Sequence, residues 1–450
     1  MVERMSASPL LTDLYQLNML QAYMEHGKTD VSVFEFFVRK FPPNRSFLIA
    51  AGLEQVLAYL EKICFSDSEI DWLAGTGRFD HKFLNWLSRF RFTGDVHAMP
   101  EGTAFFENEP ILRVTARLPE AQLVETRLVN ILHFQSMIAS KAARLVLLAP
   151  GKQLIDFGLR RAHGAEAGLL AARASYIAGF AGTATLLANK EFGIPVYGTM
   201  AHSFIQAFDR ESAAFEAFAS SRPAGLVLLI DTYDTLGAAR KIVALAPRLA
   251  AKGIAIQGVR IDSGDLISLS CEVRQILDAG GLRQTTILVS GGLDEELLAE
   301  TRRQGAPIDG FGIGTSLVTS SDAPALDCAY KLEEYAGLAR RKRSSGKETW
   351  PGRKQVWRQY EADGTMARDH LLLEDERIAG EPLLQPVMRA GRRVSSPSLE
   401  AARIRAAENL KKLPPSLRSL ETGWHYPVMV GRQLQNLARE VDHRLEHGGD

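Results

Sequence analysis

The chain has 450 residues, enough for two or three domains with substantial cores. Its 53 Lys and Arg residues balance 53 Asp and Glu residues, so no net charge favours nucleic acid or an anionic membrane as a partner. Three widely spaced cysteines exclude a disulfide framework and a cysteine-cluster zinc site, and favour a reducing compartment. No apolar run approaches the roughly 18 residues of a membrane span, so we expect a cytoplasmic protein without a nucleic-acid or membrane partner.

The N-terminal part of the chain mixes helical and strand patterns. Apolar residues recur at helical spacing from Leu14 to Met24, Gly27 ends this amphipathic helix, and Tyr15 lies beside its apolar stripe. The β-branched and aromatic run 31–38 predicts a strand, as does 111–116. Helical periodicity covers 50–92 and a long stretch from Glu120 to about Leu148.

Short apolar strands then alternate with helices. The predicted strands are 153–157, 195–197, 226–230, 254–261, 286–289 and 308–313. Helices are predicted at 235–251 and 294–304, and Asp265 opens another. This alternation is typical of parallel βαβ units, in either a (β/α) barrel or a doubly wound sheet. In both architectures ligands bind at the carboxyl ends of the strands.

The periodicity weakens beyond Val318. The basic segment 340–347 is either a solvated loop or a phosphate contact, and the pattern does not choose between the two. A strand is predicted around 355–358 and a helical then proline-rich stretch at 398–418. The polar tail after Val441 is expected to be loose.

Each predicted strand of the middle region ends in groups suited to an anionic, hydroxyl-bearing ligand. These ends are 156–161 (Asp-Phe-Gly-Leu-Arg-Arg), 198–203 (Gly-Thr-Met-Ala-His-Ser), 231–235 (Asp-Thr-Tyr-Asp-Thr), 260–265 (Arg-Ile-Asp-Ser-Gly-Asp), 290–294 (Ser-Gly-Gly-Leu-Asp) and 310–315 (Gly-Phe-Gly-Ile-Gly-Thr). Taken alone, Asp265 reads as a helix cap beside a surface ion pair, and His202 as a structural histidine. The recurrence at six strand ends favours an anion site, with Asp231 or Asp234 able to orient the His202 imidazole.

The order of these motifs resembles that of nicotinate phosphoribosyltransferases. The matching segments are 12–16 (Thr-Asp-Leu-Tyr-Gln), 156–161, 198–203, 231–234, 259–265, 312–315 and 351–354 (Pro-Gly-Arg-Lys). The resemblance implies an irregular (β/α) barrel over 146–335 and a second α/β domain, built from 1–145 with part of the C-terminal segment 336–450. It also implies a homodimer with active sites at the subunit interface.

The family's reaction and site residues are carried over as implications of this resemblance. Nicotinate and 5-phosphoribosyl 1-pyrophosphate would give nicotinate mononucleotide and pyrophosphate, the first step of NAD synthesis from nicotinate, with Mg²⁺ and coupled ATP hydrolysis. His202 matches the histidine that ATP phosphorylates, and Asp231 the carboxylate that orients it. The positions matching nicotinate contacts are Tyr15 (from the partner subunit), Arg160, Thr199 and Arg260. Those matching phosphoribosyl pyrophosphate contacts are Asp262, Ser290, Gly291, Gly292, Gly312, Gly314 and Thr315. Whether Arg160 or Arg161 faces the site stays open.

Several other activities compete with this interpretation. The nicotinamide relatives carry Gly-Thr-Asp-Thr where this chain has 182–185, Gly-Thr-Ala-Thr, and Ala184 would not repel the nicotinate carboxylate. A quinolinate enzyme would need more basic residues for its second carboxylate. A non-catalytic nucleotide-sensing barrel would bind sugar phosphates without turnover. A sugar-phosphate aldolase or isomerase barrel would normally place Lys or Glu at a strand end, and none of the six ends has one.

Overall fold

The computed structural model describes residues 8–395, 397–419 and 423–447. In chain order its strands are β1 (Val31–Val38), β2 (Leu48–Ile49), β3 (Asp95–Ala98), β4 (Ala104–Phe105), β5 (Leu112–Arg117), β6 (Gln153–Asp156), β7 (Gly182–Thr183), β8 (Leu226–Leu229), β9 (Ile256–Ile261), β10 (Thr286–Ser290), β11 (Gly310–Ile313), β12 (Cys328–Tyr335), β13 (Leu338–Ala339), β14 (Lys354–Tyr360), β15 (Met366–Leu373), β16 (Glu381–Pro382), β17 (Gln385–Arg389), β18 (Arg392–Arg393) and β19 (Val428–Val430).

The α-helices are numbered in the same way. They are α1 (Leu14–Glu25), α2 (Leu53–Lys62), α3 (Asp67–Gly75), α4 (His81–Ser88), α5 (Leu118–Leu123), α6 (Glu125–Leu148), α7 (Ala165–Ala178), α8 (Leu186–Phe192), α9 (His202–Gln206), α10 (Glu211–Ser221), α11 (Thr235–Ala250), α12 (Leu266–Ala279), α13 (Glu295–Arg303), α14 (Thr315–Val318), α15 (Leu399–Lys412) and α16 (Arg432–His447). Two 3₁₀ turns lie at Leu159–Arg161 and Pro415–Arg418.

The first of two compact units comprises Met1–Ser140 and Ala325–Asp450. Its main sheet is antiparallel, in the order β13, β12, β1, β5, β3, β17, β18. β1 pairs with β12 on one side and with β5 on the other, and all its residues but the first are buried. A strand buried on both faces is mostly apolar, and β1 has only two polar residues: the Ser32 hydroxyl donates to the Ala116 carbonyl, and the Glu35 carboxylate lies 2.9 Å from Lys354 Nζ. Two smaller sheets, β2–β4 and β16–β14–β15–β19, complete this α/β unit.

The second unit comprises Lys141–Pro324 and contains a six-stranded parallel sheet, in the order β7, β6, β11, β10, β9, β8. Helices alternate with its strands along the chain. Apolar strand residues such as Val259, Val289 and Ile313 are at most 1% exposed, and each contributes about 1.5–3 kcal/mol of burial free energy. The sheet curls into a half-barrel whose edge strands are β7 and β8. The predicted fold class, an irregular (β/α) barrel with a second α/β domain, is confirmed.

The unit boundaries differ from those expected from the sequence. We placed them after residues 145 and 335, whereas the structure divides after Ser140 and Pro324. β12 explains the second difference, because it pairs with β1 in the sheet of the first unit. This pairing joins residues about 300 positions apart, which local patterns do not reveal.

Most predicted elements are present, but two predictions were wrong. Segment 195–197 is not a strand: only Val196 bridges to Thr183, and β7 itself lies at Gly182–Thr183. Pro195 has no backbone N–H to extend a ladder. The tail after Val441 is not loose up to His447, because it continues α16, which buries Leu434, Ala438 and Val441 on one face. Residues 448–450 lie outside the described residues.

The predicted long helix from Glu120 to about Leu148 is divided into α5 and α6. By length and composition α6 is apolar enough to cross a membrane, which the sequence analysis did not anticipate. However, 72% of its most apolar window is buried inside the protein. A core helix of a folded domain has these same properties, so α6 is weak evidence for a membrane span.

Candidate active site

The ends of four neighbouring strands bring most of the predicted site residues together. β6 ends at Asp156, β11 at Ile313, β10 at Ser290 and β9 at Ile261. These strands are parallel and adjacent in the sheet. Their carboxyl ends therefore lie along one edge, where the loops that follow them converge.

Arg260 lies at the centre of this edge. Its Nη1 donates to Thr199 Oγ1 at 2.8 Å and its Nε donates to Ser290 Oγ at 3.1 Å. Its Nη2 is 3.3 Å from Asp262 Oδ1, and the guanidinium carbon is 5.8 Å from the centre of the Phe157 ring. Contacts on several sides hold the planar guanidinium in one orientation, as recognition of a carboxylate or phosphate requires.

Asp262 connects the arginine to the histidine. Its Oδ1 accepts a hydrogen bond from the Ser290 hydroxyl, and its Oδ2 is 3.7 Å from His202 Nε2. The side chain of Asp262 is partly exposed, so its carboxylate remains accessible to ligand hydroxyl groups.

A cavity of about 430 Å³ opens at this edge. Its lining residues are Phe157, Arg160, Arg161, Arg260, Asp262, Ser290, Gly291, Gly292, Leu293, Gly312, Gly314, Thr315, Ser316 and Ser321. The lining thus includes every residue that the sequence analysis placed on phosphoribosyl pyrophosphate. Arg160 and Arg161 both line it from an exposed 3₁₀ turn, so the structure does not select one of them.

Two positions of this cavity require glycine, one in the turn after β10 and one within β11. Gly291 has φ +92°, and a Cβ there would lie 2.1 Å from the carbonyl oxygen of Asp262. A Cβ on Gly312 would lie 2.5 Å from the Phe157 ring. Within the described part of the chain, the backbone N–H groups of Gly291, Gly292 and Gly314 donate to no acceptor. Such N–H groups in glycine-rich turns suit an anion.

A second cavity, of about 540 Å³, lies against the same arginine. It shares Phe157, Arg260 and Gly312 with the first cavity and is also lined by Tyr197 and Thr199. Arg260 therefore contacts both spaces, one beside the glycine turns and one beside aromatic side chains.

His202 is the first residue of α9 and faces two carboxylates. Its Nε2 lies 4.0 Å from Asp231 Oδ1 and 3.7 Å from Asp262 Oδ2, while its Nδ1 is 3.1 Å from Thr232 Oγ1. The first two distances are too long for hydrogen bonds, but they favour a proton on Nε2. Nδ1 then carries the lone pair and accepts from the Thr232 hydroxyl.

Only one of the two carboxylate oxygens of Asp231 has a hydrogen-bond partner among the described residues. Its side chain is 2% exposed, and Oδ2 accepts a hydrogen bond from Ser263 Oγ at 2.5 Å. Oδ1 is buried and has no hydrogen-bond partner among the residues that the structure describes. A buried unpaired carboxylate oxygen is costly unless a ligand or a neighbouring donor satisfies it. The imidazole of His202 is the neighbour best placed to do so.

Asp156, at the end of β6, is fully buried. It accepts hydrogen bonds from Thr183 Oγ1 at 2.7 Å and from the Gly158 backbone N–H at 2.8 Å. Burial raises the pKa of its carboxyl to about 6, although the two hydrogen bonds act in the opposite direction. The side chain thus ties the turn that carries the two cavity arginines to the neighbouring strand β7.

Two predicted features belong to the first unit. Tyr15 lies on α1, is 48% exposed, and its hydroxyl accepts a hydrogen bond from Gln16 Nε2. In the basic segment 340–347, Arg341 lies 3.1 Å from Asp442, and Arg343 lies 3.4 Å from the same carboxylate. These two arginines therefore pair with carboxylates of α16, which supports the solvated-loop alternative over a phosphate contact.

Sequence reasoning did not single out some residues of the site. These are Phe157, Thr232 and Ser263, together with the cavity-lining Leu293, Ser316 and Ser321. The first three and Leu293 lie inside motifs that were recognised, so their position next to charged motif residues was the available signal. Ser321 follows α14 and lies beyond any motif, so only the structure places it at the cavity.

A Mg²⁺ ion at this edge would need ligands from the substrate as well as from the protein. Among residues 8–395, 397–419 and 423–447, no three His, Cys, Asp or Glu side chains are grouped so as to hold a metal ion. Mg²⁺ is, however, commonly bound by one or two carboxylates plus substrate phosphates and water. Asp262, which lines the cavity and is partly exposed, is a carboxylate of the kind that such a site uses.

Comparisons with known proteins give a consistent result. Three family models match, described as the nicotinate phosphoribosyltransferase N-terminal domain (residues 10–133), the nicotinate phosphoribosyltransferase family (152–339) and the C-terminal domain (377–438). Nicotinate phosphoribosyltransferase pncB2 of Mycobacterium tuberculosis is 51% identical over 443 residues, covering 98% of this chain and 95% of that protein. The nicotinate phosphoribosyltransferase of Bacillus subtilis is 39% identical, covering 84% of this chain and 78% of that protein.

A solved structure agrees with these sequence matches. The crystal structure of human nicotinic acid phosphoribosyltransferase superimposes with a TM-score of 0.85 at 29% identity, and covers 96% of this chain and 99% of that chain. The sequence matches, the fold and the clustered strand ends agree, and the chain belongs to the nicotinate phosphoribosyltransferase family.

Proposed function

We propose that this enzyme condenses nicotinate with 5-phosphoribosyl 1-pyrophosphate and couples the reaction to ATP hydrolysis through a phosphohistidine at His202. The observation that carries the proposal is the position of Arg260 between two cavities, one with glycine turns and one with aromatic side chains. The cavity with the glycine turns suits an anionic, hydroxyl-rich substrate, and the cavity with the aromatic side chains suits a flat aromatic acid.

The aromatic acid would bind beside Arg260. Its carboxylate would accept hydrogen bonds from the guanidinium and from Thr199, and its ring would lie against Phe157. Tyr15 would approach the ring from the partner subunit of a homodimer. Ala184 introduces no negative charge at the neighbouring strand end, which favours nicotinate over nicotinamide.

The sugar phosphate would occupy the cavity of the glycine turns. Gly291, Gly292 and Gly314 offer backbone N–H groups, and the Thr315 hydroxyl adds a further donor. Ser290 also lines the cavity, but its hydroxyl donates to Asp262. Arg160 and Arg161 contribute positive charge, with Arg160 the position that the family resemblance assigns to the substrate site. The Asp262 carboxylate would accept from ribose hydroxyls.

Bond formation at C1 of the ribose needs no general base. The pyridine nitrogen of nicotinate bears no proton, attacks C1 as the C1–O bond to pyrophosphate breaks, and the bonding pair leaves with pyrophosphate. The residues contribute by holding the two substrates in line and by stabilising charge that develops at C1 and on the leaving group. Mg²⁺, when bound, would neutralise charge on the departing pyrophosphate, with Asp262 as its candidate protein ligand.

ATP coupling would act through the His202 imidazole. Asp231 and Asp262 favour the tautomer with the proton on Nε2, so Nδ1 is the nucleophilic nitrogen. Nδ1 would take the γ-phosphoryl group as the bond from phosphorus to the β–γ bridging oxygen breaks, with ADP as the leaving group. Water later hydrolyses the N–P bond. We place the enzyme in the cytoplasm, at the first step of NAD synthesis from nicotinate.

The decisive experiment measures nucleotide formation by full-length protein from phosphoribosyl pyrophosphate and Mg²⁺, with nicotinate, nicotinamide or quinolinate, each with and without ATP. We expect nicotinate mononucleotide alone, formed faster with ATP. His202→Ala should abolish the ATP stimulation and the acid-labile phosphate, and retain slow ATP-independent transfer. His163→Ala, at an exposed histidine that lines neither cavity, is the matched control.

Other outcomes would reject specific parts of the proposal. Turnover of nicotinamide would show that the Ala184 argument is wrong. Undiminished ATP stimulation in His202→Ala would exclude the phosphohistidine. If no pyridine substrate is converted, the site binds a sugar phosphate for another purpose.

A further inference from the structure

Lys141, close to the end of α6 in the second unit, is a buried charge that the proposed reaction does not use. Its side chain is 1% exposed. Its Nζ donates a hydrogen bond to Glu295 and lies 2.9 Å from Asp322 Oδ1. Arg144, one turn later, has its Nε 3.7 Å from Glu295 Oε1. Two cations thus compensate two carboxylates, as burial of these charges requires.

The two carboxylates belong to the two segments that form the phosphate side of the cavity. Glu295 is the first residue of α13 and follows Gly292 by three positions. Asp322 follows Ser321, which lines the same cavity as Gly314 and Ser316 do. A single ammonium group therefore contacts the segment that follows each glycine turn, with Glu295 three positions after Gly292 and Asp322 eight positions after Gly314.

The glycine turns need such a support from outside. Glycine has no side chain to pack, and its backbone has more conformational freedom than that of any other residue. Ser290 anchors the start of the first turn to Asp262 and Arg260. The Lys141 ammonium is one of the described contacts that join the segment after Gly292, which carries Glu295, to the segment after α14, which carries Asp322.

We propose that Lys141 is a positioning residue for phosphate binding, because its ammonium sets the separation of the segments that carry Glu295 and Asp322. The inference deepens the proposed function and rests on it for the identity of the ligand. Replacing a lysine with only a structural role would lower the free energy of unfolding. It would not change the Kd of phosphoribosyl pyrophosphate relative to the KM of nicotinate. Replacing a positioning lysine would weaken the interactions with the phosphate ligand selectively. A misplacement of contact groups by about 1 Å can lower a reaction rate about 100-fold, so small shifts of the binding groups matter.

The test compares full-length variants in two assays. Isothermal titration calorimetry gives the Kd of phosphoribosyl pyrophosphate in the presence of Mg²⁺, and steady-state kinetics give the KM of nicotinate. Lys141→Met should raise the Kd about tenfold or more and change the KM of nicotinate by less than about twofold. Lys141→Arg keeps the charge and should restore the Kd to within about threefold of wild type.

Two further variants keep the test decisive. Lys241→Met is the matched control, since Lys241 also pairs with a buried carboxylate of this unit, Glu211 at 2.8 Å, and lines neither cavity. If Lys141→Met does not fold, Asp322→Asn removes one tether and leaves the Lys141–Glu295 pair. We expect it to raise the Kd at least about threefold, although it deletes a negative charge near an anion site.

The outcomes separate this inference from the proposed function. An unchanged or lower Kd in folded Lys141→Met, or in Asp322→Asn if Lys141→Met does not fold, would overturn the role of Lys141. Wild-type protein that binds phosphoribosyl pyrophosphate without converting nicotinate would instead refute the proposed function, and the comparison of Kd values would still test Lys141. Wild-type protein that does not bind this ligand would overturn both.

Discussion

Replacing Asp156 by Asn tests the electrostatics of the buried strand end most directly. The Asp156 carboxyl is fully buried, and its pKa is raised from 3.8 to about 6 by burial, with hydrogen bonds from Thr183 and Gly158 opposing the change. Asn has almost the same shape and no charge. Its oxygen can accept from the Gly158 N–H, and its amide can donate to the Thr183 hydroxyl, so we expect the variant to fold.

The direction of the pH effect follows from the raised pKa. In the folded state Asp156 keeps its proton up to about pH 6, whereas in the unfolded chain it loses the proton near 3.8. Its contribution to the free energy of unfolding is therefore present at low pH and is lost as pH rises through the folded pKa. Between about pH 5 and about pH 7.5 the loss amounts to about 1.4 kcal/mol. Asn does not titrate, so this loss is absent from the variant.

Urea unfolding of wild type and Asp156→Asn at several pH values measures this difference. The stability of the variant relative to wild type should increase by about 1.4 kcal/mol from about pH 5 to about pH 7.5. Asp265→Asn is the control that should not vary over this range, because hydrogen bonds from Ser268 lower the pKa of exposed Asp265 and its carboxyl is ionised in both the folded and the unfolded state above about pH 5. A difference between wild type and Asp156→Asn that does not vary with pH would refute the argument that burial dominates at this site.

Two further substitutions test the geometry of the site. Arg260→Lys keeps the positive charge but loses the forked donors that contact Thr199 and Ser290, so the KM of nicotinate should rise about tenfold or more in steady-state assays. An unchanged KM would exclude Arg260 from binding the acid. Gly291→Ala should reduce the free energy of unfolding by about 1–3 kcal/mol, since φ is +92° and the new Cβ would meet a backbone oxygen at 2.1 Å. Gly292→Ala, at φ +65° with no atom within 4 Å, should lose less in the same urea experiment, and equal losses would contradict the steric argument.

Much of the site was predictable because a parallel sheet has a simple geometry. An apolar run followed by polar residues marks the end of a buried strand, and parallel strands place these ends at one edge. Arg260, Ser290 and Gly312 are distant in sequence, yet this rule alone predicts that they meet. The structure brings them to one cavity.

Other features depend on contacts that no local pattern encodes. β12 was not predicted as part of the first unit because its pairing with β1 joins distant segments. Segment 195–197 has strand-forming residues, but the proline limits it to a single bridge. The tail after Val441 is polar on average, yet it forms the last turns of α16. The helix is stable there because one of its faces is buried against the protein.

The sequence by itself determined the alternation of strands and helices, the polar strand ends and the residue types that an anionic, hydroxyl-bearing ligand needs. These follow from periodicity and from side-chain chemistry, which are local properties of a chain. Tertiary structure decided which oxygen of Asp231 stays unpaired and which nitrogen of His202 meets Thr232. It also brought Lys141 to Glu295 and Asp322. These contacts depend on how helices and loops pack around the sheet, and packing is settled only when the whole unit has folded.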